Sequence, residues 1–129
     1  EDDGLLMSVD RNPNVRGALM TGLIDTLPEE RLENLGSKID SGEVTTVLSV
    51  KEDLTEAGLS EEQFSKVDIV YLGTHRNATS EKAEVVLAGL TQFEKSGTVI
   101  NQQFRIQKFN RVVPGPRGCI EDLYALSTI

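Results

Sequence analysis

The sequence predicts an α/β domain: an open, mainly parallel sheet with flanking helices and a late β-hairpin. Three observations predict it. Val44-Thr45-Thr46-Val47-Leu48-Ser49-Val50, Asp68-Ile69-Val70-Tyr71-Leu72 and Glu84-Val85-Val86-Leu87 are short runs rich in β-branched and apolar residues, the composition of strands. Helical signals lie before and between them, and strands alternating with helices favour a parallel sheet with crossover connections. After the third run, Gly97 to Gln107 holds two extended stretches joined by a polar turn, the pattern of a hairpin.

Leu5-Leu6-Met7-Ser8-Val9 reads as a short strand. Asn12-Pro13-Asn14 is a turn signal, because proline fixes φ and asparagine tolerates left-handed geometry. The loop is read as continuing through Gly17-Ala18, where glycine permits close backbone approach. A helix is predicted next. Thr26 suits its N-cap, Pro28 and Glu29-Glu30 suit its first turn, and Leu32, Leu35 and Ile39 share one face. Ser41-Gly42 ends it.

The first strand then leads to Lys51-Glu52-Asp53, a polar loop with ligand contact as its functional alternative, since ligands of open α/β sheets lie beyond strand carboxyl ends. Ser60 and Gln63 are spaced as a capping box, with Phe64 and Val67 facing the core. Between the second and third strands only a turn or two of helix fits, at Ser80 to Ala83. The third strand, with adjacent valines, is expected to be buried on both faces. Phe104 to Gln107 is assigned to the hairpin's second strand. Pro114-Gly115-Pro116 makes a rigid turn, and Ile120, Leu123, Tyr124, Leu126 and Ile129 are spaced as one amphipathic face docking a final helix.

Composition narrows function. The chain has 129 residues, enough for one domain with a real core, and a net charge of −8, which argues against nucleic acid as a partner. One cysteine, Cys119, excludes an internal disulfide and a cysteine-ligated cluster. The single histidine, His75, has no nearby ligand partner in sequence. No apolar run reaches the ~20 residues of a membrane helix, so no direct membrane insertion is expected. No GxGxxG or GxxxxGK[ST] loop is present and no spacing suggests a nucleophile–base pair, so no catalytic residue is assigned. The opening Glu1-Asp2-Asp3, without an initiator methionine, predicts that residues 1–129 are a single domain cut from a longer chain.

Thr79-x-x-x-Ala83-Glu84-Val85-Val86-Leu87, followed by Glu94-x-x-Gly97-Thr98-x-x-Asn101-x-x-x-Arg105-x-Gln107, resembles the molybdopterin oxidoreductase superfamily. Within it the chain is most similar to the large iron–sulfur subunits of bacterial NADH-quinone oxidoreductase, respiratory complex I. Asn14-x-x-Gly17-Ala18 adds to that likeness. Ala88 stands where the family has proline, Phe104 where it has glycine, and Glu84 where it has aspartate.

The resemblance implies a Rossmann-like scaffold domain without a catalytic centre of its own. Its parent would carry electrons from NADH through iron–sulfur clusters to quinone. It would sit in the cytoplasm or on the cytoplasmic face of a bacterial inner membrane, against other domains of its chain and other complex I subunits. The resemblance marks Thr74, Thr79, Glu94, Gly97, Thr98 and Asn101 as candidate cofactor-binding residues. Ala88 and Phe104 count against tight pterin binding, so no cofactor is expected within this piece. The alternatives are one wall of the cofactor site in a formate dehydrogenase-like molybdopterin enzyme, and a free-standing protein-binding module.

Overall fold

The computed structural model describes residues 14–25 and 33–129. In chain order the elements are α1 (Val15–Met20), α2 (Glu33–Asp40), β1 (Thr46–Val50), α3 (Glu61–Phe64), β2 (Asp68–Gly73), α4 (Ala78–Lys82), β3 (Val85–Ala88), β4 (Gly97–Ile100), β5 (Ile106–Phe109) and α5 (Asp122–Thr128). The expected strand at 5–9, the Asn12-Pro13 part of the first turn, and the helix start at Thr26, Pro28 and Leu32 lie outside the described residues. The described residues fall into two compact units. One holds α1 with β4 and β5, the other α2 to β3 with α5. Among them no helix is long and apolar enough to cross a membrane.

In the larger unit β1, β2 and β3 form a parallel sheet in that order. Each connection passes through one short helix, and the α/β class read from the sequence is the one observed. Ser60 caps α3. Its Oγ accepts from Gln63 N at 3.3 Å, and Gln63 Oε1 accepts from Ser60 N at 3.0 Å. Gln63 Nε2 also donates to Asp40 Oδ2 at 2.8 Å, joining α3 to the end of α2. The chain leaves α2 through Gly42, whose φ of 77° is the left-handed value that glycine adopts freely after a helix. Ile39, Val47, Leu54, Leu59, Phe64 and Ile69 form the core, with Leu35, Val44, Val67 and Ala83 packed around it. Val47 and Ile69 are register partners, so α2 and α3 cover their face of the sheet.

The opposite face departs from expectation. Leu48, Val70 and Val85 form one row across the three strands, yet Leu48 is 40% and Val85 48% exposed. Val86, on the other face, is also exposed. The third strand is therefore not a buried central strand. Among the described residues β2 is its one strand neighbour, and on the other side only the isolated Gly89–Ile120 bridge follows it. Adjacent valines specify extended backbone, but strand order decides whether that backbone is enclosed.

The final helix differs too. Its apolar spacing is real, yet Leu123, Tyr124, Leu126 and Ile129 are exposed, and the residue that packs inward is Ala125.

In the smaller unit β4 and β5 pair antiparallel, Val99 opposite Gln107. Two readings change here. Asn14 to Ala18 is not a loop: the chain turns at Asn14, φ 63°, and enters α1 directly. Asn14 Oδ1 accepts from Ile100 N at 2.8 Å, fixing α1 to β4. Phe104 and Arg105 belong to the turn rather than to the second strand. Asn101 Oδ1 accepts from Gln103 N at 3.0 Å and Arg105 N at 2.9 Å, curling the backbone so that Phe104 takes φ 58°. The Arg16 guanidinium lies 5.7 Å from the Phe104 ring centroid, within cation–π range.

Candidate functional site

Parallel strands bring their carboxyl ends to one edge, where the following loops meet; this is where open α/β sheets bind ligands. In the larger unit that edge is built around Asp53. Its Oδ1 accepts from Thr55 N at 3.0 Å, Thr55 Oγ1 at 2.6 Å and Thr79 Oγ1 at 3.2 Å, and its Oδ2 accepts from Ala78 N at 3.2 Å. Hydrogen bonds from Thr55, strongest among these, hold the Asp53 carboxyl below its ordinary value. Thr79 is fully buried, and its Oγ1 also accepts from Leu54 N at 2.8 Å. One carboxylate and one hydroxyl thus tie the loop after β1 to the first turn of α4.

Asn77 starts α4 with a second capping box: its Oδ1 accepts from Ser80 N, and Ser80 Oγ accepts from Asn77 N, both at 2.8 Å. The Asn77 amide also donates to the Tyr71 hydroxyl at 3.2 Å, and that hydroxyl donates to His75 O at 3.3 Å. Burial pushes the Tyr71 phenol up, with the Asn77 bond acting against it. The Tyr71 ring folds over Gly73 so closely that a Cβ there would fall 2.2 Å from it. Glycine is what lets the ring lie flat at the strand end.

Beside this arrangement opens a cavity of about 430 Å³. Tyr71, Gly73, Val86 and Ala88 form its floor, and Thr74, His75, Arg76, Ser80 and Glu81 form its rim. The size is within the range of small-molecule sites, roughly 300–1,000 Å³. Thr74 Oγ1 and His75 Nδ1 lie 2.8 Å apart on the rim. The floor is apolar, and the rim offers one cation, one carboxylate, one imidazole and two hydroxyls. Such a set can orient a small polar molecule. Among the described residues no group of three His, Cys, Asp or Glu side chains is placed to hold a metal.

The six candidates from the sequence have different surroundings. Thr74 lines the cavity. Thr79 is sealed in the Asp53 network behind it. Glu94 Oε2 accepts from Thr91 N at 2.8 Å and Thr91 Oγ1 at 2.7 Å; these bonds, the backbone one foremost, lower its carboxyl and close a turn. Gly97, Thr98 and Asn101 belong to the smaller unit. Gly97 leaves room for the Phe109 ring, 2.9 Å from where its Cβ would be. Thr98 is exposed, and Asn101 bonds its own turn.

Sequence reasoning missed Tyr71 and the reach of Asp53. Asp53-x-Thr55 and Asn77-x-x-Ser80 are recognisable local turn and cap patterns. Nothing in sequence signals the Asp53–Thr79 bond across 26 positions.

A search of curated proteins finds no match to the chain. The family model of the molybdopterin oxidoreductases matches residues 15–129. The match takes in both units and every candidate position above, and by it this chain belongs to the molybdopterin oxidoreductase family.

Proposed function

We propose that the chain is a scaffold domain of a protein like the large iron–sulfur subunit of NADH-quinone oxidoreductase. Its parent would pass electrons from NADH through iron–sulfur clusters towards quinone, on the cytoplasmic face of the membrane beside other complex I subunits. The family supports an oxidoreductase parent. The scaffold reading rests on one observation: Thr79, Glu94 and Asn101 of the family-like segments spend their side chains on hydrogen bonds within the fold. Thr79 holds Leu54 and Asp53, Glu94 holds Thr91, and Asn101 holds Gln103 and Arg105. A ligand gripped by these three side chains would compete with those bonds, which supports the scaffold reading. Phe104, retaining a glycine-like φ where the family has glycine, is consistent with a fold kept for its shape.

The cavity beside Thr74 favours a second reading, one wall of the cofactor site in a formate dehydrogenase-like enzyme. One experiment separates the two. The full-length parent is purified with an affinity tag from its native cell, its metals are measured, and its companions are identified. The scaffold reading expects iron, co-purifying NADH dehydrogenase subunits and no molybdenum. Near-stoichiometric molybdenum with a pterin would overturn it.

A further inference from the structure

The last helix is attached in an unusual way. Ala125 alone of its side chains is buried, while Leu123 is 78% and Ile129 75% exposed. Apolar burial is the ordinary anchor of a surface helix, and a short helix in water has little stability of its own. What α5 has instead is Asp122. Its Oδ2 accepts from Lys51 Nζ at 2.6 Å and also from Lys95 Nζ. Lys51 leaves the carboxyl end of β1 in a left-handed conformation, φ 61°, and donates as well to Leu90 O at 3.0 Å. Lys95 comes from the turn after β3. Two separate parts of the unit thus converge on one carboxylate oxygen of α5.

This grip carries its own opposition. Asp122 Oδ1 is buried with no hydrogen-bond partner, an arrangement folded proteins rarely keep. That oxygen lies 3.3 Å from where a Cβ on Gly89 would be, and water is excluded there. The two ammonium groups also face each other across the shared oxygen. Burial would raise the Asp122 carboxyl, but the hydrogen bonds from Lys51 and Lys95 outweigh it and hold it down. Opening returns Oδ1 to water and relieves the lysine–lysine repulsion, which offsets part of what the two ion pairs contribute. Upstream, Ile120 stays tethered by its N–H to Ala88 O at 2.8 Å.

We propose that α5 is a detachable strap, fastened by Asp122 between Lys51 and Lys95 and hinged at Ile120. It opens without unfolding the sheet. Opening uncovers Gly89 at the sheet end, leaves two ammonium groups without their carboxylate, and frees a helix bearing Leu123, Tyr124, Leu126 and Ile129.

Amide hydrogen exchange of the full chain, read by NMR, tests this. In the wild type the amides of Ala125 to Ile129 should exchange through a local opening, with protection roughly tenfold or more below Tyr71 and Leu72. Asp122→Asn keeps the shape and removes the charge; it should lower protection in α5 by roughly tenfold again, equivalent to about 1.4 kcal/mol, and leave β1 and β2 unchanged. Lys95→Met should act in the same direction. The strap is refuted if α5 exchanges together with β2 in the wild type, if Asp122→Asn leaves α5 protection intact, or if it lowers protection across the sheet equally.

Discussion

Phe104 offers a sharp test of how this fold tolerates its own sequence. An L-residue held in the left-handed region carries about 1–2 kcal/mol of strain, and Phe104 sits there at φ 58°. Its ring recovers part of this against Arg16, since an exposed cation–π contact contributes about 0.5–1 kcal/mol. Phe104→Ala removes the ring and keeps the strain, so it should destabilise the hairpin by about 0.5–1 kcal/mol. Phe104→Gly removes both, but loosens the unfolded chain by about 0.4–1 kcal/mol. Glycine should therefore exceed alanine by about 0.5–1 kcal/mol, the reverse of their usual order inside regular structure. Hydrogen exchange at the amides of β4 and β5 reads the difference, which amounts to roughly two- to fivefold in protection. Alanine more protected than glycine would show that the turn relaxes away from the left-handed conformation, and the strain argument would fail.

Other outcomes follow from the carboxyl edge of the sheet. Thr79→Val leaves Leu54 N–H buried without an acceptor and should cost about 1–3 kcal/mol in urea unfolding, whereas Thr79→Ser should recover most of the loss. Asp53 titrates below its ordinary 3.8 when folded, so in that window the native state binds fewer protons than the unfolded chain. Its contribution is complete above the unfolded value and disappears as pH falls through the folded one. Asp53→Asn should accordingly flatten the acid limb of a Tm-against-pH curve, and an unchanged limb would assign the acid loss elsewhere. Gly73→Ala drives a Cβ into the Tyr71 ring and should destabilise by about 1–3 kcal/mol. Heteronuclear spectra should show His75 and Asn77 shifting with it, and shifts confined to Gly73 would refute the contact.

Local chemistry was legible in the sequence. The capping box at Ser60 and Gln63, the glycine exit at Gly42, the β-branched runs of β1 and β2 and the short helix before β3 depend on neighbours a few residues away. The family-like residues from Thr79 to Gln107 could likewise be picked out by order alone, and the family they pointed to is the one whose model matches. Their roles could not. Thr79 looks like any threonine until β1 and α4 bring Asp53 and Leu54 to it. The apolar spacing of α5 predicted a docked face because periodicity records which side chains align, and not whether a surface is there to receive them.

By itself, then, the sequence determined the α/β class, the caps and the family, because propensity, turn chemistry and motif order act over short spans. Only the tertiary structure decided that β3 lies exposed, that Asp53 is a hub and that Asp122 carries the last helix. The Asp53–Thr79 and Asp122–Lys51 contacts join residues 26 and 71 positions apart. Burial and ion pairing are properties of that company rather than of the residue.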